Sequence, residues 1–292
     1  MTDVPTPLAR IHSWPTVERP VMVVCLEGWI DAGLAAAGAV THLLASMPHE
    51  LVAVFDADEL IDYRARRPTL RIVNGVDEEL RWPEIRLHAA TNRTGRTVLI
   101  LSGPEPDMRW QRFNVEVVSL ASRLEVGRVI GLGAFPAPVP HTRPVRLVGT
   151  STDAELAGAV GFLPAGIEVP AGDQGALEVA FGQASIPALG LWARVPHYVA
   201  AMPYPAASAA LLDTLARVAE IEIDTGALQA AAANTGQQIA ALIAGSDEHA
   251  ALVRQLEEQH DREVPTGAAD FGDLPSGDEI AAELERFLRG EQ

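Results

Sequence analysis

The stretch Val21-Met-Val-Val-Cys-Leu26, followed at once by Glu27-Gly-Trp-Ile-Asp-Ala-Gly33, decides the fold of this 292-residue sequence. An unbroken apolar run before a glycine-containing turn predicts a buried β-strand. A segment rich in alanine and leucine then extends to Met47, Pro48 ends it, and Leu51–Phe55 reads as a second strand. This strand–helix–strand order predicts an α/β protein in which a crossover helix joins a parallel pair of strands.

Further elements are predicted on both sides of this unit. Phe113, Val117, Leu120 and Leu124 recur at the spacing of one helix face. Short strands that read as a hairpin are predicted at 72–75 and 85–88, and buried strands at 97–101, 128–133 and 145–148.

The same patterns divide the chain into four parts. They predict an irregular N-terminal arm over 1–19, an α/β core domain over 20–205, and a helical extension over 206–262. A flexible acidic linker and a terminal helix are predicted over 263–292, where Ser276-Gly-Asp-Glu279 forms a capping box ahead of Ile280, Leu284, Phe287 and Leu288.

Composition restricts the classes of function. The net charge is −17, which predicts a surface that repels nucleic acid and anionic membranes, so neither is expected as a partner. The start, Met1–Pro5, has neither the basic patch nor the apolar run of a secretory signal, and no apolar run is long enough to span a membrane. A cytoplasmic protein is therefore expected.

The basic residues and the single cysteine exclude several kinds of chemistry. All 22 basic residues are arginine, which rules out a P-loop lysine and a Schiff-base lysine. Cys25, the single cysteine, lies in the first apolar run and is expected in the core rather than as a catalytic thiol. The sequence has no Gly-x-Ser-x-Gly, His-Glu-x-x-His or GxGxxG motif. No cofactor and no metal site are expected.

Polar residues gather in five segments that follow predicted strands. The carboxyl ends of parallel strands meet at one edge of a sheet, where ligands bind in open α/β folds. The candidate ligand-binding residues are Glu27, Trp29 and Asp31; Asp62, Tyr63, Arg64 and Arg67; Glu105, Arg109 and Trp110; His141, Thr142 and Arg143; and His197 and Tyr198.

Each candidate also has a purely structural interpretation. Asp31 could be the N-cap of the first helix and Trp29 a core residue. The acids Asp56, Asp58, Glu59 and Asp62 have the chemistry of a divalent-cation site, but the neighbouring arginines favour internal ion pairs.

Taken together and in order, the five segments resemble a known family. Glu27-Gly-Trp-Ile-Asp-Ala-Gly33, Asp62-Tyr-Arg64 with Arg67-Pro68, Glu105-Pro106 with Arg109-Trp110, Pro140-His-Thr-Arg-Pro144 and Pro196-His-Tyr198 are similar to the bacterial branch of the proteasome assembly chaperone 2 family. The resemblance spans roughly residues 20–260.

This resemblance implies both a fold and a mode of action. The fold is a mixed, partly barrel-like sheet flanked by helices, like that of the nucleoside phosphorylases, with a C-terminal helical segment. It also implies self-association, with a trimer as one candidate state, and other proteins as further partners. The sequence ends Arg289-Gly-Glu-Gln292, without the hydrophobic–tyrosine–any-residue tail with which relatives often dock on proteasomes.

Two classes of function follow. The first is a self-associating, protein-binding or scaffolding role, which the resemblance and the missing catalytic motifs favour. The second is a small-molecule binder or enzyme that acts on a nucleoside-like or hydroxylated ligand at the strand-end loops, which rests on analogy of fold.

Overall fold

The computed structural model describes residues 6–28, 30–162 and 166–262. Its strands are β1 (Ala9–Ile11), β2 (Val21–Glu27), β3 (His49–Phe55), β4 (Thr69–Val73), β5 (Val76–Arg81), β6 (Ile85–Thr91), β7 (Thr97–Pro104), β8 (Arg128–Ala137), β9 (Leu147–Ser151) and β10 (Ala188–Pro196). Its α-helices are α1 (Ala35–Ser46), α2 (Ala57–Leu60), α3 (Trp110–Arg123), α4 (Ala154–Gly158), α5 (Asp173–Gln183), α6 (Pro205–Ala219), α7 (Gly226–Ile243) and α8 (Asp247–Arg262).

Eight strands form one mixed sheet in the order β1-β3-β6-β7-β2-β8-β10-β9. β2 lies at the centre, parallel to β7 on one side and to β8 on the other, and β10 continues the parallel part. β6 and β9 run antiparallel to their neighbours. The prediction of a mixed sheet flanked by helices, followed by C-terminal helices, is confirmed.

Successive side chains of β2 point to opposite faces of the sheet, and both faces are covered by helices. Val23 and Cys25 face one core, which α1 and α6 complete, whereas Met22 and Val24 face a second core beneath α3 and α5. On α3 the predicted stripe is buried, and Phe113 has no exposed surface. α6 packs directly on the sheet through Leu211 and Leu215.

The two strands that were predicted as a parallel pair, β2 and β3, are not neighbours in the sheet. β2 and β3 point in the same direction, but β6 and β7 lie between them, so they are not a hydrogen-bonded pair. The intervening strands come later in the chain, and the local strand–helix–strand pattern carries no information about insertions into the sheet.

The predicted hairpin of 72–75 with 85–88 is wrong in its partner. β4 pairs with β5, which lies between the two predicted strands, and together they form a separate two-stranded sheet. β6 instead joins the main sheet between β3 and β7. Every residue of β5 is exposed, so this strand lacks the buried side of alternating apolar residues by which a strand is usually recognised.

The prediction that residues 1–19 are irregular is wrong at residues 9–11. β1 pairs antiparallel with the edge strand β3. The Glu116 carboxylate on α3 accepts hydrogen bonds from the backbone N–H groups of Leu8 (2.8 Å) and Ala9 (2.6 Å). A three-residue strand is too short to show periodicity, and these distant partners hold it in place.

The C-terminal helices also differ in one detail from what the sequence predicts. His260 is buried together with Val253 and Leu256 on α8, although the acidic composition of this helix favours a solvent-facing side chain there. The predicted linker and terminal helix over 263–292 lie outside the described residues. Across the described ranges, no helix combines the length and the apolar character that crossing a membrane requires.

Candidate functional site

The five candidate segments follow strands that all end at one edge of the sheet. β2, β7, β8 and β10 are mutually parallel, and β3 points the same way because two antiparallel steps separate it from β7. We call this side the strand-end edge. The first segment reaches the third, since the backbone N–H of Glu105 donates to the carbonyl of Glu27 at 2.8 Å.

Asp31 shapes the first segment as a helix cap. Its Oδ1 and Oδ2 accept hydrogen bonds from the backbone N–H groups of Ala36 (2.9 Å) and Ala37 (3.0 Å) at the start of α1. Burial raises the pKa of this carboxyl, while the hydrogen bonds from the helix backbone act in the opposite direction. Trp29 lies outside the described residues. The structural interpretation of Asp31 therefore accounts for its contacts.

Glu105 joins β7 to α5. Its carboxylate accepts a hydrogen bond from the backbone N–H of Asp173, the first residue of α5. It also covers Gly28 so closely that a Cβ there would lie 2.3 Å from Glu105 Oε2. A carboxylate at a helix N-terminus is favoured by the unpaired N–H groups and by the helix dipole. Gly28 provides the space for it.

Asp173 is a completely buried carboxyl beneath this cap. Within the described ranges, neither of its oxygens makes a hydrogen bond of ordinary geometry, although Asn114 on α3 is near enough to lower its pKa. Burial dominates and, with the charge of Glu105, raises the pKa of Asp173 to about 7. Ionising this group in the folded protein is therefore costly.

Hydrogen bonds to Asp107 hold the second segment against the third. The Arg66 guanidinium donates to Asp107 Oδ1 and to the carbonyl of Glu27, both at 3.1 Å. Asp107 Oδ2 accepts from the backbone N–H of Asp62 at 2.9 Å. Asp62 in turn accepts from the backbone N–H of Arg64. Asp62 thus shapes its own loop.

The outer residues of these segments also have structural partners. Arg109 pairs with Glu59 on α2, the Tyr63 hydroxyl donates to Asp58 at 2.6 Å, and the Trp110 indole donates to the carbonyl of Pro106. Arg64 and Arg67 differ. Both are exposed, and neither side chain forms a hydrogen bond or an ion pair within residues 6–28, 30–162 and 166–262.

His141, His197 and Tyr198 form an aromatic cluster at the ends of β8 and β10. The backbone N–H of His141 donates to Tyr198 Oη (2.8 Å), and His141 Nδ1 lies 2.9 Å from the same oxygen. His197 packs edge-on against Tyr198, with 5.3 Å between ring centroids. Burial lowers the pKa of His141 and raises that of Tyr198 to about 12. Both side chains are therefore neutral near pH 7.

Arg143 fastens α8 to the strand-end edge. Its guanidinium makes a two-pronged contact with Asp261 (2.8 and 2.7 Å) and a third bond to Glu257 (3.1 Å). Thr142 donates to the same Glu257 carboxylate. The bond to Arg143 lowers the pKa of Asp261 and raises that of the guanidinium. The fourth candidate segment is thus occupied by the chain's own helix.

Replacing this guanidinium is expected to loosen α8. In Arg143→Gln, both carboxylates lose their charge partner, and amide hydrogen exchange across 247–262 is expected to rise about two- to fivefold, as for a solvent-accessible ion pair. Added salt should raise the wild-type exchange towards that of the variant. Arg254→Gln, on the exposed side of the same helix, is the control. Equal exchange in both variants would contradict the tether.

No group of three or more histidine, cysteine or acidic side chains within the described ranges could hold an ion. Cys25 is buried in β2, two residues before Glu27. Its burial, and to a lesser extent the charges of Asp31 and Glu27, raise the pKa of its thiol. Such a thiol is a poor nucleophile.

Several residues that shape the edge were not predicted. Arg66 lies between the candidates Arg64 and Arg67, and Asp107 lies between Glu105 and Arg109. Glu257 and Asp261 are four residues apart on an acidic helix, a spacing that places two carboxylates on one face and could have indicated a cationic partner. Asp173 carries no such signal, because a glycine followed by aspartate reads as an ordinary helix start.

Comparison with known proteins points to one family. The model of the PAC2 family matches residues 25–243. A protein of unknown function from Corynebacterium glutamicum has 33% identity and a TM-score of 0.85, with 88% of this chain and 98% of that chain covered. A proteasome-assembly chaperone homologue from Mycobacterium tuberculosis has 38% identity and a TM-score of 0.75, with 80% and 99% covered.

A third structure shows how far the fold extends. An archaeal proteasome activator from Pyrococcus furiosus shares the fold at 16% identity and a TM-score of 0.62, over 80% of this chain and 97% of that chain. No protein of curated function matches the sequence significantly. Since the family model covers most of the sheet and both helix layers, the chain belongs to the PAC2 family, that of proteasome assembly chaperone 2.

Proposed function

We propose that this protein associates with itself and binds other proteins through the exposed hairpin β4–β5. The observation that carries the proposal is a row of large apolar side chains on one side of that hairpin. Leu70, Ile72, Leu80 and Trp82 are 45%, 58%, 47% and 49% exposed, and we call them the hairpin face. Contiguous exposed apolar surface of this kind marks protein-interaction sites.

The pairing of the two strands explains the composition of the hairpin face. Leu70 lies directly opposite Leu80, and Ile72 is on the same side as Leu70 because alternate side chains share a face. The register shifts after Arg71, so that Ile72 pairs with Asp77. Trp82 follows β5 and packs on Tyr63, with 4.7 Å between ring centroids. The opposite side carries Thr69, Arg71, Glu79 and Arg81, with the exposed Val76 next to the turn. A two-stranded hairpin with most of its large apolar residues on one side is suited to docking rather than to isolation in water.

The strand-end loops support a small-molecule site less well. The charged candidates Asp31, Glu105, Arg109 and Arg143 already have partners within the chain. A groove of about 520 Å³ lies elsewhere, between residues 144–147 and the helices α6 and α7, and none of the candidate residues lines it. A protein-binding role also fits the similarity to the Mycobacterium tuberculosis proteasome-assembly chaperone homologue.

Polar replacement of the hairpin face is expected to weaken self-association. Leu70→Gln/Leu80→Gln removes two apolar anchors, each of which contributes about 1.5 kcal/mol when buried, so the dissociation constant should rise about 100-fold. Light scattering after size exclusion, over a range of concentrations, measures it. Thr69→Gln/Arg81→Gln, at the paired positions on the opposite side, is the control. A wild-type protein that is monomeric at all concentrations would refute the proposal.

A further inference from the structure

Beside the hairpin face lies a run of arginines, in a chain that is acidic as a whole. Arg64, Arg66, Arg67 and Arg71 fall within eight residues that contain no acid, in a protein of net charge −17. Arg66 is bound to Asp107, and Arg71 pairs with Glu78. Arg64 and Arg67 are exposed and make no ion pair within the described part of the chain. Two guanidinium groups are therefore available to an acidic partner.

These two arginines lie at the base of the hairpin face. Tyr63, the neighbour of Arg64, contacts Trp82, and only Pro68 separates Arg67 from β4. The surface thus combines an apolar stripe with positive charge at one end. Its complement is a segment that presents apolar residues on one side and carboxylates beside them.

One segment of the sequence has this composition. Residues 276–292 contain five acids and two arginines, and the apolar residues Ile280, Leu284, Phe287 and Leu288 recur at the spacing of one helix face. Glu283 and Glu285 alternate with the apolar positions. On this basis we propose that residues 276–292 of a second copy dock on the hairpin face, with their carboxylates on Arg64 and Arg67. The inference rests on the proposed self-association and names the part of the partner copy that forms the contact.

The test compares three variants of the full chain by the dissociation constant of self-association. Leu284→Gln/Phe287→Gln should weaken it about as much as Leu70→Gln/Leu80→Gln does. Arg64→Glu/Arg67→Glu should weaken it at least tenfold, less so in high salt, because the contacts are ionic. Combining the latter change with Glu283→Arg/Glu285→Arg should restore much of the affinity, since the charges are exchanged between the two sides.

Each outcome separates the two proposals. If hairpin substitutions weaken association but the substitutions in 276–292 do not, self-association stands and the assignment of the partner segment falls. If the exchanged charges give no recovery, the pairing with Arg64 and Arg67 is wrong. Hydrogen exchange provides an independent readout: amides of 69–82 should exchange faster in Leu284→Gln/Phe287→Gln than in the wild type. If this occurs in a protein that remains monomeric, the segment docks within its own chain, and the second-copy assignment is overturned.

Discussion

Asp173→Asn is expected to stabilise the protein at pH 8 by about 4 kcal/mol, and by much less in acid. The side chain is fully buried, and its pKa is raised from 3.8 to about 7. Because the folded protein holds this proton more tightly than the unfolded chain does, stability is greatest below the unfolded pKa and falls as the pH rises towards the folded pKa. Asparagine is neutral throughout and avoids that loss.

Urea unfolding at pH 5 and pH 8 measures the effect. The gain in free energy of unfolding should be about 2 to 3 kcal/mol larger at pH 8 than at pH 5, since most of the ionisation in the folded state occurs between these values. Glu178, whose pKa burial also raises to about 7, is present in both proteins and largely cancels in the difference. Equal gains at both pH values, or a loss at pH 8, would show that Asp173 is not a buried ionisable group.

Gly103→Ala is expected to destabilise the protein by about 3 kcal/mol or more. Gly103 lies in β7 with a φ of +135°, and a Cβ there would stand 2.3 Å from the backbone oxygen of Glu84. That oxygen belongs to the backbone just before β6 and cannot move away as the end of a flexible side chain could. Glu105 follows the end of β7, two residues after Gly103, so a displaced backbone would also disturb the cap on α5.

A second glycine with a positive φ serves as a control that distinguishes backbone strain from a steric clash. Gly75, in the turn of the hairpin, also has a positive φ of +81° but no atom within 4 Å of an added Cβ. Gly75→Ala should therefore cost about 1 kcal/mol for its backbone conformation alone. Urea unfolding of both variants gives the comparison. If Gly103→Ala lowers the free energy of unfolding no more than Gly75→Ala does, the close approach of the Glu84 backbone oxygen does not contribute to the loss of stability.

The sequence predicts those features that depend on local pattern. The apolar run at 21–26, the stripe on α3 and the buried strand at 97–101 all form, because periodic apolar residues must be covered. The segments at the strand-end edge follow from strand direction alone. The order of the sheet was not predictable in this way, since β6 enters between β3 and β7 through contacts distant in sequence.

The roles of individual side chains at the edge were less predictable. The residue type and the position of Arg143 suggest a contact with a ligand. Its guanidinium instead binds Asp261 on α8, more than a hundred residues away in the sequence. Asp173 looks like an exposed helix start and is completely buried, because α5 packs against α3 beneath Glu105. Burial and long-range pairing are properties of the assembled layers, and one sequence without its relatives does not encode them visibly.

The central position of β2 has a consequence for the order of events during synthesis. Val21 pairs with Val98 on one side and with Arg128 on the other, so both neighbours of this strand leave the ribosome long after it does. Its run Val21-Met-Val-Val-Cys-Leu26 must stay soluble as a nascent chain until β7 and then β8 arrive. Folding that waits for such distant pairings is slow and sensitive to aggregation. The protein is therefore expected to be most vulnerable after β2 has been translated and before β7 and β8 have followed.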